Sequence, residues 1–221
     1  MTSLPIVNQS EPSGLRLALT LAAAGLVSGI ALVTTYEITK PTIDANKRAA
    51  QRSAVFKVVP GATAMQFLKR APGGVAVAED AAEGLFGAYD DSGKLVGYAM
   101  RGAGAGFQDT ITLMVGYDVD RGRVVGMEVL GSRETPGLGD KIYKDAAFVA
   151  SFEDLVVEPE VVVVKDGSSA PNEIDAITGA TISSKAVAKI VTQAVVSWKE
   201  TLPASAQAPA LVPKEDAGGA Q

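Results

Sequence analysis

Thr110-Ile111-Thr112-Leu113-Met114-Val115-Gly116-Tyr117-Asp118-Val119 runs through Asp120-Arg121-Gly122 into Arg123-Val124-Val125-Gly126-Met127-Glu128-Val129-Leu130-Gly131. Both flanks are rich in Val, Leu, Met and Tyr, and the residues between them are two charges and a glycine. That composition predicts two strands joined by a tight hairpin. Upstream, Tyr89-Asp90-Asp91-Ser92-Gly93-Lys94 reads as another hairpin turn, joining residues 84–90 with residues 94–101. Downstream, residues 161–165 make a further apolar strand of buried character. Beyond it, Ala186, Ile190, Val191, Ala194, Val195 and Trp198 recur at steps of three and four. This is the period of one buried helix face, so a helix is expected over roughly residues 183–199. Consecutive hairpins covered by helices define an α+β domain built on an antiparallel sheet.

Two glycine-rich stretches interrupt the strand pattern. Gly102-Ala103-Gly104-Ala105-Gly106-Phe107-Gln108 superficially suggests a dinucleotide fingerprint, but it lacks the glycine spacing and leads into a strand, not a helix. Its glycines are expected to permit tight turns or the close approach of backbone to a ligand. In Glu134-Thr135-Pro136-Gly137-Leu138-Gly139, Pro followed by Gly fits the central positions of a type II turn.

Immediately before the final helix stands Asp175-Ala176-Ile177-Thr178-Gly179-Ala180-Thr181-Ile182-Ser183-Ser184. Thr181 is placed at or near a helix N-terminus, where unpaired N–H groups and the positive end of the helix dipole favour an anion. Lys185, less than two turns in, is positioned to add a charge. The plainer reading is an ordinary N-cap, for which Thr, Ser and Asp are the usual residues. Gly61-Ala62-Thr63 repeats the central tripeptide after Pro60, so three residues alone carry little information. What sets the second copy apart is Asp175 three residues before Thr178, and the helix behind.

The chain has 221 residues, enough for one substantial domain and an anchor. Its net charge of −5 shows no basic stripe and argues against a nucleic-acid partner. Cys and His are both absent. That excludes a disulfide, a thiolate-held iron–sulfur cluster, an imidazole-ligated haem, a histidine base and the usual zinc sites. No metal-binding or catalytic residue is identified. Redox chemistry, if any, falls to an organic cofactor.

Residues 17–36 carry no charge over 20 positions, matching the roughly 20 residues a helix needs to cross a bilayer core of about 30 Å. A transmembrane helix over 15–37 is expected, in preference to a cleaved signal peptide or a buried helix. Gly25 and Gly29, with Ala24 and Ser28, give it a small-residue face. Residues 1–14 are read as a flexible tail and residues 38–60 as a juxtamembrane helical segment. The folded domain spans 61–200. Residues 201–221, with Pro203, Pro209 and Pro213, are expected to be disordered.

The Asp175 to Thr181 pattern resembles the flavinylation motif of the FMN-binding domain family. Together with Glu134-Thr135-Pro136-Gly137-Leu138-Gly139, the glycine-and-aromatic segment before it and an N-terminal span ending in Lys40-Pro41, it is similar to the G subunits of Rnf electron-transport complexes. The resemblance covers roughly residues 15–200. It implies FMN carried by a phosphoester on the Thr181 hydroxyl, attached by a separate flavin transferase that splits FAD with Mg²⁺. It also implies that Asp175, Thr178, Gly179, Ala180, Ser183, Lys185, Glu134, Thr135, Gly137 and Leu138 surround the cofactor. Asp175 either helps the transferase use the hydroxyl or caps a turn. The implied function is that of a membrane-anchored flavoprotein subunit relaying electrons in an ion-translocating ferredoxin:NAD oxidoreductase, among the other subunits and the lipid bilayer. The alternatives are the C-type subunit of a sodium-pumping NADH:quinone reductase and a membrane-tethered assembly domain without cofactor. On topology two arguments conflict. Only Arg16 precedes the span while Lys40, Lys47, Arg48 and Arg52 follow it, so the positive-inside rule places the domain in the cytoplasm. The resemblance places it on the extracytoplasmic side of the cytoplasmic membrane, and that is the expectation adopted.

Overall fold

The computed structural model describes residues 13–165 and 167–212. The chain divides into two compact units, one running to Arg48 and the other from Ala49 onward. Helix α1, Gly14–Val58, passes unbroken from one into the other, so the expected span and juxtamembrane segment are parts of one 45-residue helix. Pro41 lies inside it. In the apolar part the threonine hydroxyls donate to the helix's own carbonyls, Thr20 to Leu17 O and Thr35 to Ala31 O, both at 2.8 Å. That is how a polar side chain stays satisfied where water is absent. The expected tail, residues 1–14, lies outside the described residues except for Ser13 and Gly14, and Gly14 is already helical.

The second unit is built on one seven-stranded antiparallel sheet in the order β2-β1-β3-β4-β5-β6-β7. The expected hairpins are its centre: β3 (Leu85–Tyr89) with β4 (Leu95–Ala105), and β5 (Thr110–Asp118) with β6 (Arg123–Gly131). An edge hairpin, β1 (Ala64–Ala71) and β2 (Gly74–Val77), and the two-residue β7 (Leu155–Val156) complete it. Short helices α2 (Lys141–Lys144) and α3 (Ala146–Ala150) lie between β6 and β7.

Alternation along the strands sends two sets of side chains to opposite faces. Tyr98, Met100, Ile111, Leu113 and Val115 pack under α4 (Thr181–Trp198), with its Val187, Ile190, Val191 and Val195. Ala99, Met114 and Phe86 face the end of α1, against Ala54, Val55 and Val58. Glycines fix how closely each helix sits. A Cβ on Gly102 or Gly104 would lie 2.7 Å from Ile190, and one on Gly116, which pairs with Gly126, would lie 1.9 Å from the Val58 carbonyl. The glycines at 102 and 104 thus receive a helix and not a ligand.

Two further expectations are corrected. Residues 161–165 contain a strand, β8 (Val162–Val164), but it pairs in parallel with β9 (Glu173–Asp175) in a separate two-stranded sheet. Val162 is exposed and its two successors are half-buried, while Ile174 of β9 is fully buried in the core that also holds α4. Residues 201–212 are not disordered. Leu202 is buried, Tyr98 Oη donates to Pro203 O at 3.0 Å, Tyr89 Oη donates to Pro209 O at 2.8 Å, and Val212 N donates to Gln66 Oε1 at 3.0 Å. A 3-10 turn, Ser205–Gln207, interrupts this strap, and buried tyrosine hydroxyls take the carbonyls of Pro203 and Pro209 on either side of it. Residues 213–221 lie outside the described residues.

Candidate cofactor site at the start of the last helix

Two glycine turns and a helix end converge here. In the first turn, Leu138 N donates to Thr135 O at 3.2 Å with Gly137 at φ +79°, which places Pro136 and Gly137 in the type II positions read from the sequence. In the second, Ala180 N donates to Ile177 O at 2.9 Å with Gly179 at φ +83°. The turns touch: a Cβ on Gly179 would lie 3.2 Å from Leu138 Cδ2.

Thr181 is the first residue of α4, and the cap position belongs to Ala180, which makes no side-chain hydrogen bond. Ala is among the poorest N-caps. The ordinary-cap reading therefore fails: Thr181 is inside the helix, not capping it. Neither Ser183 nor Ser184 caps it. Ser184 is fully buried, donates to Ala180 O at 3.0 Å and accepts from Ile177 N at 3.1 Å, stapling the second turn to the helix. No side chain caps the first backbone N–H groups of α4, which lie at the positive end of the helix dipole.

A cavity of about 370 Å³ opens at this point, lined by Thr181, Ser183, Gly179, Ala180, Glu134, Thr135, Leu138, Gly139, Phe107 and Ile182. That volume falls at the lower end of small-molecule sites. Glu134 is its keystone. Its Oε1 accepts from Phe107 N at 2.9 Å and Gln108 N at 3.0 Å, and its Oε2 accepts from Ser183 Oγ at 2.5 Å. Burial pushes the carboxyl up, but Ser183 and the backbone N–H groups of Gln108, Asp109 and Phe107 outweigh it and hold Glu134 below the ordinary carboxylate range. Both oxygens are thus engaged by protein, so Glu134 joins the 106–109 loop to α4. Gly139 must be glycine beside it, because a Cβ there would meet Glu134 at 2.8 Å. Thr135 Oγ1 donates to Gln108 Oε1 at 3.0 Å.

Of the residues expected around the cofactor, Thr181, Gly179, Ala180, Ser183, Glu134, Thr135 and Leu138 line this cavity, and Gly137 shapes the turn behind it. Three fall elsewhere. Asp175 accepts from Ser168 N at 2.8 Å and, with Thr178, lines a neighbouring groove of about 590 Å³ beside Lys141 and Lys144. Lys185 lines a third groove with Lys189 and Glu160. Sequence reading missed Gly139, and also Phe107 and Ile182, which stand 63% and 58% exposed on the lip. The signal for Phe107 was an aromatic residue isolated after a glycine run. Ile182 carried none, since an apolar second residue of a helix is ordinary.

Comparison with known proteins bears on the same region of the chain. Residues 106–196, which include every lining residue of the cavity, match the FMN-binding domain, and residues 8–58 match the RnfG N-terminal region. The fold recurs in the crystal structure of Shewanella oneidensis NqrC (TM-score 0.55, 17% identity, 67% of this chain and 92% of that one). It also recurs in the C-type subunit of the Na(+)-translocating NADH-quinone reductase from Parabacteroides distasonis (TM-score 0.52, 22% identity, 68% and 91%). The class is therefore an FMN-binding domain behind an N-terminal apolar helix.

Sequence relatives narrow it further. The G subunit of the ion-translocating oxidoreductase complex of Methanosarcina acetivorans is 30% identical over 182 residues, covering 81% of this chain and 92% of that protein. The G subunit of the Na(+)-translocating ferredoxin:NAD(+) oxidoreductase complex of Acetobacterium woodii is 30% identical over 191 residues, covering 81% and 89%. The chain belongs to the family of these G subunits, and the one long apolar helix among the described residues makes it a single-pass, membrane-anchored member.

Proposed function

We infer that this protein is a membrane-anchored flavoprotein subunit that relays electrons through FMN in an ion-translocating ferredoxin:NAD oxidoreductase complex, with the other subunits of that complex as its partners. Kinship with the G subunits, at 30% identity over about nine-tenths of their length, favours this over the C-type subunit of a quinone reductase, whose likeness is one of fold. Bound FMN supplies the one- and two-electron chemistry, for which this chain has no Cys or His of its own.

The finer proposal is that FMN is held covalently on Thr181. The observation that carries it is the hydroxyl of the first residue of an uncapped helix, opening into a cavity. There the N–H groups of the first turn bind the phosphate and orient it. Attachment by a flavin transferase forms the Thr181 Oγ1–phosphorus bond and breaks the phosphoanhydride of FAD. AMP leaves, and the hydroxyl proton passes to solvent. Leu138, Phe107 and Ile182 supply an apolar rim for the ring system.

The domain is placed on the extracytoplasmic side, where covalent attachment prevents the loss of a cofactor that cannot be replenished. Lys40, Lys47, Arg48 and Arg52 oppose this by the positive-inside rule.

Coexpression with a flavin transferase, followed by denaturing electrophoresis and intact-mass measurement, tests the attachment. The polypeptide should fluoresce as flavin and gain the mass of FMN less water, and Thr181→Ala should show neither. Flavin surviving that substitution sinks the assignment. For topology, protease added to spheroplasts should digest the domain. Digestion only in inverted vesicles reverses the placement.

A further inference from the structure

Lys185 has no part in the function above, and the groove it lines is built like the place of a missing strand. Val162 N donates to Asn172 O at 2.9 Å and Ala176 N donates to Val164 O at 2.7 Å, so Val162 and Val164 turn their main chain toward β9. Alternation sends the N–H and C=O of Val163 to the opposite edge of β8, where no hydrogen bond among the described residues engages them. Facing that edge is α4. Thr192 Oγ1, on the helix, accepts from Val161 N at 3.1 Å and ties the start of the strand to it. Between strand and helix lies a groove of about 430 Å³, lined by Val162, Val163, Lys185, Ala188, Lys189 and Gln193 among others. Lys185 and Lys189 are exposed, stand about one turn apart on α4, and join none of the ion pairs among the described residues. Glu160 is the one carboxylate on the lining. A free edge is ordinarily blunted by a proline, an inward charge or a cover. β8 is three consecutive valines, a residue that favours pairing.

We propose that this groove receives an extended acidic segment of a partner protein, which adds to β8 as a third strand of the small sheet and sets its carboxylates against Lys185 and Lys189. Lys185 to Gln193 spans about 12 Å of helix axis, the length of roughly four extended residues. Main-chain bonds to Val163 hold such a segment, and the two lysines select its charge. The groove shares no lining residue with the Thr181 cavity. Only the identity of the partner, another subunit of the same complex, rests on the function proposed above.

In a first experiment a fluorescent, end-blocked hexapeptide alternating Asp and Val is titrated into the full-length, detergent-solubilised protein. It should bind, and rising salt should weaken it. Lys185→Glu together with Lys189→Glu should weaken binding about tenfold, as expected when two exposed ion pairs become repulsions. Lys94→Glu, on the β3–β4 turn, should leave it unchanged. Val163→Pro removes the outward N–H without breaking a bond to β9 and should also weaken binding. A peptide alternating Lys and Val that binds as tightly, or binding indifferent to the lysine reversals, overturns the proposal. In a second experiment a photoreactive residue replaces Gln193 in the complex purified from its own membranes, and mass spectrometry identifies what it cross-links. The product should be an acidic stretch of another subunit, lost with the double reversal. A cross-link to lipid alone, to residues 213–221, to a second copy of this chain, or to nothing overturns the proposal. If the acidic peptide binds as described and the cross-linked partner belongs to no such complex, the strand site stands and the proposed complex fails instead.

Discussion

The chain makes the same turn twice and uses it in opposite ways. In Val59-Pro60-Gly61-Ala62, Ala62 N donates to Val59 O at 3.3 Å with Gly61 at φ +85°, and in Ile177-Thr178-Gly179-Ala180 the matching bond is 2.9 Å with Gly179 at φ +83°. A threonine follows each. Thr63 N, however, donates to Tyr89 O at 2.8 Å and leads into β1, whereas Thr181 N opens α4. The first turn leaves the carbonyl end of a helix, where the dipole repels an anion, and the second enters the N–H end, where it attracts one. The proposed anion site is therefore written in the order of helix and tripeptide, not in the tripeptide.

The largest expected effect breaks the pair apart. Thr181→Ala should abolish covalent flavin completely, while Thr63→Ala leaves it at the wild-type level by in-gel fluorescence. Thr181→Ser, which keeps the hydroxyl, should retain attachment. Equal loss in the two alanine variants would mean that the tripeptide, and not its place at a helix start, is what matters.

The next effect should be shared. Gly61→Ala and Gly179→Ala each force a side chain into left-handed backbone, at a cost of roughly 1–2 kcal/mol. Denaturant titration should show both losses. The second should be slightly larger, because its Cβ meets Leu138 at 3.2 Å while that of Gly61 lies 4.0 Å from Val96. Flavin attachment should fall only with Gly179→Ala. A drop with Gly61→Ala would show that attachment follows general stability.

How much of this was legible depends on the range over which a signal acts. The two hairpins, the Pro136-Gly137 turn and α4 are local patterns of propensity and period, and each lies within a few residues of its expected place. The edge hairpin was not read, because β1 ends in Lys69-Arg70 and β2 is built from Gly and Ala flanking Val, giving weak strand propensity that pairing with β3 overrides. At the site, proximity in sequence misled. Asp175 and Lys185 flank Thr181 within six residues, yet they line other grooves. Glu134 and Ser183 are 49 positions apart and share a hydrogen bond. No spacing rule foretells that contact, which exists only because the fold brings the loop after β6 to the start of α4.

A smaller effect tests the keystone that the second turn has and the first lacks. The Glu134 carboxyl is held below its ordinary value, so its hydrogen bonds stabilise the fold above the unfolded pKa of about 4.3 and are lost as pH falls through the folded value. Glu134→Gln should cost on the order of 1–3 kcal/mol at neutral pH, from donors left badly satisfied. Denaturation followed downward in pH should show the difference from wild type shrinking below that range. A difference constant with pH would assign the loss to packing instead. Thr63→Ala, with no such carboxylate beneath it, should follow the wild-type pH profile throughout.

The smallest expected effect is nearly zero, and it decides what binds the phosphate. Lys185 is the cation nearest to Thr181 in sequence on α4, but it sits one turn along the axis, about 6 Å, and lines the groove with Lys189 and Glu160. If the exposed N–H groups and dipole of the first turn suffice, Lys185→Ala should leave flavin attachment unchanged and alter stability by no more than a few tenths of a kcal/mol, as exposed charges generally do. Rising salt should likewise leave the wild-type yield unaffected, because backbone donors at the phosphate itself are little screened. A marked fall with Lys185→Ala, deepened by salt, would show that a side-chain charge holds the anion. The contrast between the two turns would then reduce to one having a lysine downstream.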